Sequence, residues 1–199
     1  MEFKKFLPWI IGIGLPVIII FWIVGGIIGI KNTAITYNQA TEKEWGNVQT
    51  AYQRRNDLIG NLVNTVKGAA DFEKSTLTAV IEARAKATSI NIDPKNITPE
   101  QLAQFNQAQS GVSSSLSRLL VTVEQYPDLK TNQNFMKLQD ELTSTENQIL
   151  TARTRFNESV QDYNGYILKI PNSFFLGSYK EKAYFQAVTG ADKPVEVKF

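Results

Sequence analysis

Six charged side chains stand on or beside the apolar helical stripes of this sequence: Arg55, Glu73, Arg84, Glu124, Glu146 and Arg153. An unpaired charge in a core is costly, so these groups are expected to pair across helices and fix helix register. Little other chemistry is open to them. Glu73 and Glu146 could act as a carboxylate pair of the glycosidase kind, but that needs a cleft, which a tightly packed bundle rarely supplies. Di-metal sites in bundles join carboxylates to Glu-x-x-His pairs, and this chain has no histidine. It has no cysteine either, which excludes disulfides and thiol chemistry. The expectation is therefore no catalytic, cofactor or metal site and no enzyme.

The elements that must position these residues begin with a membrane segment. No residue from Phe6 to Ile30 is charged, a run of about 25 residues where roughly 20 cross the hydrocarbon core. Lys4 and Lys5 flank one end, Lys31 the other, and Trp9 sits near the first interface. The run is too long for a cleaved signal, whose apolar part is about 7–15 residues. It reads as a retained single-pass anchor after a short tail, residues 1–5. Pro8 and Pro16 could bend it. Gly25 and Gly29 form a G-x-x-x-G pair that lets two helices approach closely. The small lysine excess before Phe6 favours a cytoplasmic N-terminus and an extracytoplasmic, periplasmic domain.

Residues 31–171 read as a bundle of long helices. Apolar residues recur at 3-4 spacing from Trp45 through Val48, Tyr52, Ile59, Leu62, Val66, Val80 and Ala87. That stripe predicts one helix from about Lys31 to Ser89, about 85–90 Å long, with Gly60 and Gly68 each costing about 1 kcal/mol inside it. Asn91, Asp93, Pro94 and Asn96 mark a break. Thr98-Pro99-Glu100-Gln101 reads as a capping box opening a second helix, which Tyr126-Pro127 ends. A third helix carries Phe135, Leu138, Leu142, Thr145, Ile149, Ala152, Phe156, Ser159, Tyr163 and Tyr166, spaced as in a bundle or coiled coil. Pro171 stops it. Residues 172–199 form an aromatic-rich segment expected to pack on the bundle, with a short helix over Tyr179–Val188 and an extended end over Pro194–Phe199. The fold class is all-α: a transmembrane helix, then an antiparallel up-down bundle of three long helices and a short C-terminal one.

An aromatic-Asn dipeptide occurs at Tyr37-Asn38, Phe156-Asn157 and Tyr163-Asn164, the last two one heptad apart. Asparagines facing inward can specify register. These residues, with Arg54-Arg55-x-Asp57-Leu58-Ile59, Asn61-Leu62-Val63, Glu73, Ala83-Arg84, Glu124-x-Tyr126-Pro127-x-Leu129, Glu146-Asn147, Ala152-Arg153 and Pro171, run in an order that resembles the LemA family over nearly the whole chain. Gly60 departs from the pattern, where the family often has proline. The resemblance implies a bacterial membrane protein with an antiparallel four-helix bundle, no established enzymatic activity and no defined cofactor.

A first helix about 30 Å longer than its partners leaves Trp45, Val48 and Tyr52 short of cover within one chain. Trp45, Tyr52, Gly25 and Gly29 are thus candidate contacts in a homo-oligomer. A C-terminal segment folded back over the first helix is the alternative cover, through Phe174, Phe175 or Phe185. The expected function is a self-associating scaffold at the bacterial inner membrane, partnered by the bilayer, by its own copies and by other membrane proteins. The alternative is an accessory subunit of a membrane protease or envelope-stress system. An extracytoplasmic sensor and a carboxylate hydrolase rank below these. The formal net charge of +2, without a basic run, argues against nucleic acid.

Overall fold

A computed structural model describes residue 12, residues 14–68 and residues 72–186. Among the described residues the structure is helical and has no strand. The helices are α1 Leu15–Lys67, α2 Lys74–Thr88, α3 Pro99–Val123, α4 Pro127–Lys130, α5 Gln133–Leu168 and α6 Asn172–Phe175. The all-α class, with an apolar N-terminal helix leading into a bundle, is as the pattern predicts. The expectations for Lys4, Lys5, Phe6, Pro8 and Trp9, and for residues 187–199, fall outside the described residues.

α1 runs without interruption from the apolar segment into the bundle. Its N-terminal part is long and apolar enough to cross a membrane, and none of that stretch is buried in the chain. Pro16 falls in the first turn of α1, and residues 12 and 14 before it are in π-helical conformation.

The predicted helix from Lys31 to Ser89 is in fact two. α1 ends at Lys67, and α2 starts at Lys74 after Glu73 in extended conformation. The apolar stripe continues across the gap because Leu77 and Val80 of α2 join the same core as Leu62 and Val66 of α1. Periodicity alone therefore reads straight through the turn. Of the two glycines, Gly68 is the C-cap and Gly60 stays inside the helix. There the Arg84 guanidinium lies 3.5 Å from where a Gly60 Cβ would stand. The break also removes the length mismatch. The part of α1 beyond Lys31 is about 55 Å long, close to α5.

α5 lies antiparallel along α1, and α2 packs chiefly on α3. The α3 start is as predicted. Thr98 Oγ1 accepts from the Gln101 N–H at 3.3 Å, and Gln101 Oε1 accepts from the Thr98 N–H at 3.1 Å. Three buried tiers follow α1 away from the apolar end: Ala34 with Tyr163, Ile167 and Leu176; then Trp45 and Tyr52 with Phe105, Phe156 and Phe185; then Leu58 to Val66 with Val80, Val112, Leu119 and Leu142.

The C-terminal segment differs from expectation. The short helix is at Asn172–Phe175, and residues 179–186 are not helical. Phe185 supplies the cover for Trp45, stacking on it with ring centroids 6.0 Å apart. Phe174 and Phe175 stay exposed.

Candidate functional site: a strap and a polar cleft

Residues 180–186 form a strap whose backbone is held at several points by side chains of α5. Asn164 Oδ1 accepts from the Lys182 N–H at 2.9 Å, while its Nδ2 donates to the Lys182 carbonyl at 2.9 Å. Asn157 does the same for Phe185, at 2.8 and 2.9 Å. Between them, the Ala183 N–H donates to the Ile97 carbonyl at 3.3 Å. Tyr163 Oη donates to the Lys180 carbonyl at 3.1 Å, and Arg153 Nη2 to the Gln186 carbonyl at 3.3 Å. The geometry explains the spacing. One heptad of α-helix rises about 10.5 Å, and three residues of extended chain cover about 10 Å. Two side-chain amides one heptad apart can therefore grip residues i and i+3 of a strap. A helix over 179–188 would forfeit these bonds, which is why local propensity loses.

Lys182 is buried, and its partners are neutral. Nζ donates to Thr41 Oγ1 and to the Pro94 carbonyl, each at 2.8 Å, and lies 5.3 Å from the centre of the Tyr163 ring. Burial holds its pKa below the usual 10.5, and Glu42 and Asp93 pull the other way. Burial likewise pushes the Tyr163 hydroxyl up, helped by Tyr179.

Beside the strap lies a cleft of about 560 Å³, lined among others by Tyr52, Arg55, Gln109, Ser110, Ser113, Glu146, Arg153 and Gln186. Arg55 is 2% exposed and pairs at 3.0 Å with Glu146, which is 49% exposed. It also donates to Gln109 Oε1, and to Ser113 Oγ at 3.4 Å. Its Nε is buried without a partner. Arg153 lies over the Phe185 ring at 4.5 Å. Burial pushes the Tyr52 hydroxyl up, partly offset by Arg153 and Arg55.

The six predicted charges do not form one network. Arg55, Glu146 and Arg153 come together at the cleft. Arg84 is half-buried against Gly60 on the far side of the break. Glu73 is exposed, accepting a hydrogen bond from Ser75 at the start of α2. Glu124 is exposed at the end of α3. Arg55 to Lys67 spans about 18 Å along α1, so Glu73, beyond Lys67, does not approach Glu146 as a carboxylate pair. Among the described residues no group of three or more carboxylates is arranged to hold a metal. Ser113 turns its hydroxyl to the Gln109 carbonyl at 3.4 Å, not to a general base. What the cleft offers is hydrogen bonding.

Trp45 and Tyr52, expected as contacts with a second copy, are instead buried within this chain. Trp45 meets Phe105, Phe156 and Phe185 at 5.4–6.0 Å, and Tyr52 meets Phe105 edge-on at 4.9 Å. The sequence pattern did not point to Lys182, Thr41 or Gln109. It showed the spacing of Asn157 and Asn164 but suggested helix register as their role. The signal in it that marks the strap is the match between that heptad and the three-residue step from Lys182 to Phe185.

An apolar helix fit to anchor a protein in a bilayer, joined without a break to a bundle with a strapped polar interior, defines a membrane-anchor-bearing all-α protein. The chain belongs to the LemA family, which it matches over residues 44–199. It is 27% identical over 183 residues to magnetosome protein MamQ 2 of Paramagnetospirillum magneticum, covering 82% of this chain and 67% of that one. It is 25% identical to magnetosome protein MamQ of Magnetospirillum gryphiswaldense, with the same coverage. It is also 25% identical over 140 residues to protein LemA of Metamycoplasma hominis, covering 70% of this chain and 60% of that one.

Proposed function

We propose that this protein is a non-enzymatic scaffold anchored in the bacterial inner membrane, self-associating through its span and presenting the bundle outside the cytoplasm. One observation carries the reading. Gly25 and Gly29 lie one turn apart on an unburied helix, and among the described residues nothing beyond the adjoining turns of that helix comes within 4 Å of where their Cβ atoms would stand. A second helix can approach that face closely. With Trp45 and Tyr52 buried within the chain, the glycine face of the span is the contact this reading uses. The bundle adds a hydrogen-bonding cleft without an assembled nucleophile and base.

Crosslinking in native membranes followed by mass spectrometry tests the scaffold. Homotypic crosslinks at the span, lost in Gly25→Ile with Gly29→Ile, are expected. Crosslinks only to a different membrane protein would replace this reading with the accessory-subunit one. For orientation, the chain has no native cysteine, so Asp93→Cys offers a single thiol on the exposed loop. It should react with an impermeant maleimide while the inner membrane is intact. Labelling only after lysis would put the bundle in the cytoplasm.

A further inference from the structure

We infer that the turn at the foot of the bundle, Leu168–Phe175, is a second membrane-contacting element that inserts apolar side chains into the interface of the bilayer α1 crosses. The register of α5 on α1 places it there. Glu146 lies opposite Arg55 and Phe156 against Trp45, and Ile167 shares a buried cluster with Ala34. Each step along α5 is matched by a step back along α1. Continued, that register sets Ile170 level with Lys31 and Pro171 level with Ile30, where the uncharged run ends. Two contacts fix the level: Tyr166 Oη donates to the Ile30 carbonyl at 3.2 Å, and the Tyr166 and Tyr37 ring centroids lie 5.2 Å apart.

At that level the turn faces outward with apolar groups the fold does not use. Ile170 is 72% and Phe174 76% exposed, and Leu168 and Phe175 are exposed beside them. Leu176 packs inward with Ala34, Tyr163 and Ile167, so the turn's share of the core is already supplied. The turn is also held in place: Asn172 Nδ2 donates to the Tyr166 carbonyl at 3.1 Å. A single exposed apolar residue is ordinary. Four within eight residues, beside the exit of an apolar span, form a patch of the kind that marks a membrane contact.

The surrounding charges and rings suit a lipid surface. No acidic residue occurs between Lys31 and Thr41, or between Tyr163 and Lys180, while Lys31, Lys169 and Lys180 are cationic. Lysines there can meet headgroup phosphates, and tyrosines such as Tyr37, Tyr166 and Tyr179 favour the interface. Apolar groups of interfacial elements reach about 5–10 Å into the headgroup and acyl boundary. An anchor and a wedge together would fix the tilt of the bundle on the membrane, which a lone helix leaves free.

The inference rests on α1 crossing the bilayer, and the test separates the two claims. The full-length chain carrying one cysteine, in place of Trp22, Ile170, Phe174 or Asp128, is labelled with nitrobenzoxadiazole. It is then reconstituted in phosphatidylcholine–phosphatidylglycerol vesicles. The label at Trp22 should be quenched by acyl-brominated lipid, and the label at Asp128 by aqueous iodide alone. Labels at Ile170 and Phe174 should emit at shorter wavelength than the Asp128 label and lose intensity to brominated lipid. Iodide quenching at 170 and 174 equal to that at 128, with Trp22 still quenched by lipid, would overturn the wedge and spare the span. Shielding from both quenchers would also overturn it, since protein rather than lipid would cover the turn. No lipid quenching at Trp22 would overturn the span, and with it the basis of this inference.

Discussion

Far from the apolar end, α1 buries Leu58, Ile59, Leu62, Val63 and Val66 against Val80, Val112, Leu119 and Leu142. Nearer that end it buries Trp45 and Tyr52 against aromatic rings, with Asn157, Asn164, Thr41, Lys182 and Arg55 among or beside them. The first region is mostly aliphatic, with Phe72 and Phe135 in the same cluster, and is held mainly by area and fit. The second contains polar groups with specific partners: Asn157 and Asn164 hold backbone groups of the strap, Lys182 holds Thr41 and the Pro94 carbonyl, and Arg55 holds Glu146 and Gln109. Area without polar constraint stabilises and tolerates repacking. Buried amides with one set of partners admit one path for the chain. Stability should therefore reside mostly in the aliphatic tier, and the position of the C-terminal segment in the other.

Leu119→Ala is the strongest way to break this division. Leu119 is fully buried, so the cost should be about 2–5 kcal/mol. The melting temperature should fall while residues 180–186 keep their hydrogen-exchange protection relative to the global limit. Selective loss of protection in the strap would show that the tiers are coupled.

Arg55→Ala comes next. It removes charged hydrogen bonds worth about 1.5–3 kcal/mol, whereas Glu73→Ala, at an exposed site, should stay within about 0.5 kcal/mol. Equal melting temperatures for the two variants would mean that the Arg55–Glu146 pair contributes nothing to stability.

Asn164→Ala should act locally. It leaves the Lys182 N–H and carbonyl unpaired, at about 1–3 kcal/mol for each if they stay buried. Detachment of the strap limits the total by returning both to water. Limited proteolysis should then cut within residues 180–186 while the bundle persists. A large drop in melting temperature with an uncut strap would contradict the division.

The alkaline limb sharpens it further. Lys182 titrates below 10.5 in the folded chain. Between its folded value and 10.5 the unfolded state binds more protons, so stability should rise with pH. Tyr52 and Tyr163 titrate above 10.0. From there the folded state keeps protons that the unfolded chain releases, and stability should fall. Denaturation midpoints in Lys182→Met should lose the rise and keep the fall.

The smallest effect belongs to neither tier. Gly165 sits inside α5, and among the described residues nothing beyond the adjoining turns of that helix comes within 4 Å of where its Cβ would stand. Gly165→Ala should stabilise by about 1 kcal/mol or less, read as a slightly higher denaturation midpoint with the strap unaffected.

The chain by itself determined whatever depends on local rules. The uncharged run marked the apolar N-terminal part of α1, the Thr98–Gln101 box opened α3, and Pro127 and Pro171 ended α3 and α5 within a few residues. The inward stripe from Phe135 to Tyr163 was legible because 3-4 spacing defines a face whatever covers it. Only the tertiary structure decided the cover. The break after Lys67 was hidden because Leu77 and Val80 continue the periodicity into the same core. The partner of Arg55 was one choice among several carboxylates, settled by the register of α5 on α1. The strap looked like a helix in isolation. It is extended because Asn157 and Asn164 supply the backbone hydrogen bonds a helix would have made, and Phe185 fills the space over Trp45 that no residue of α1 can reach.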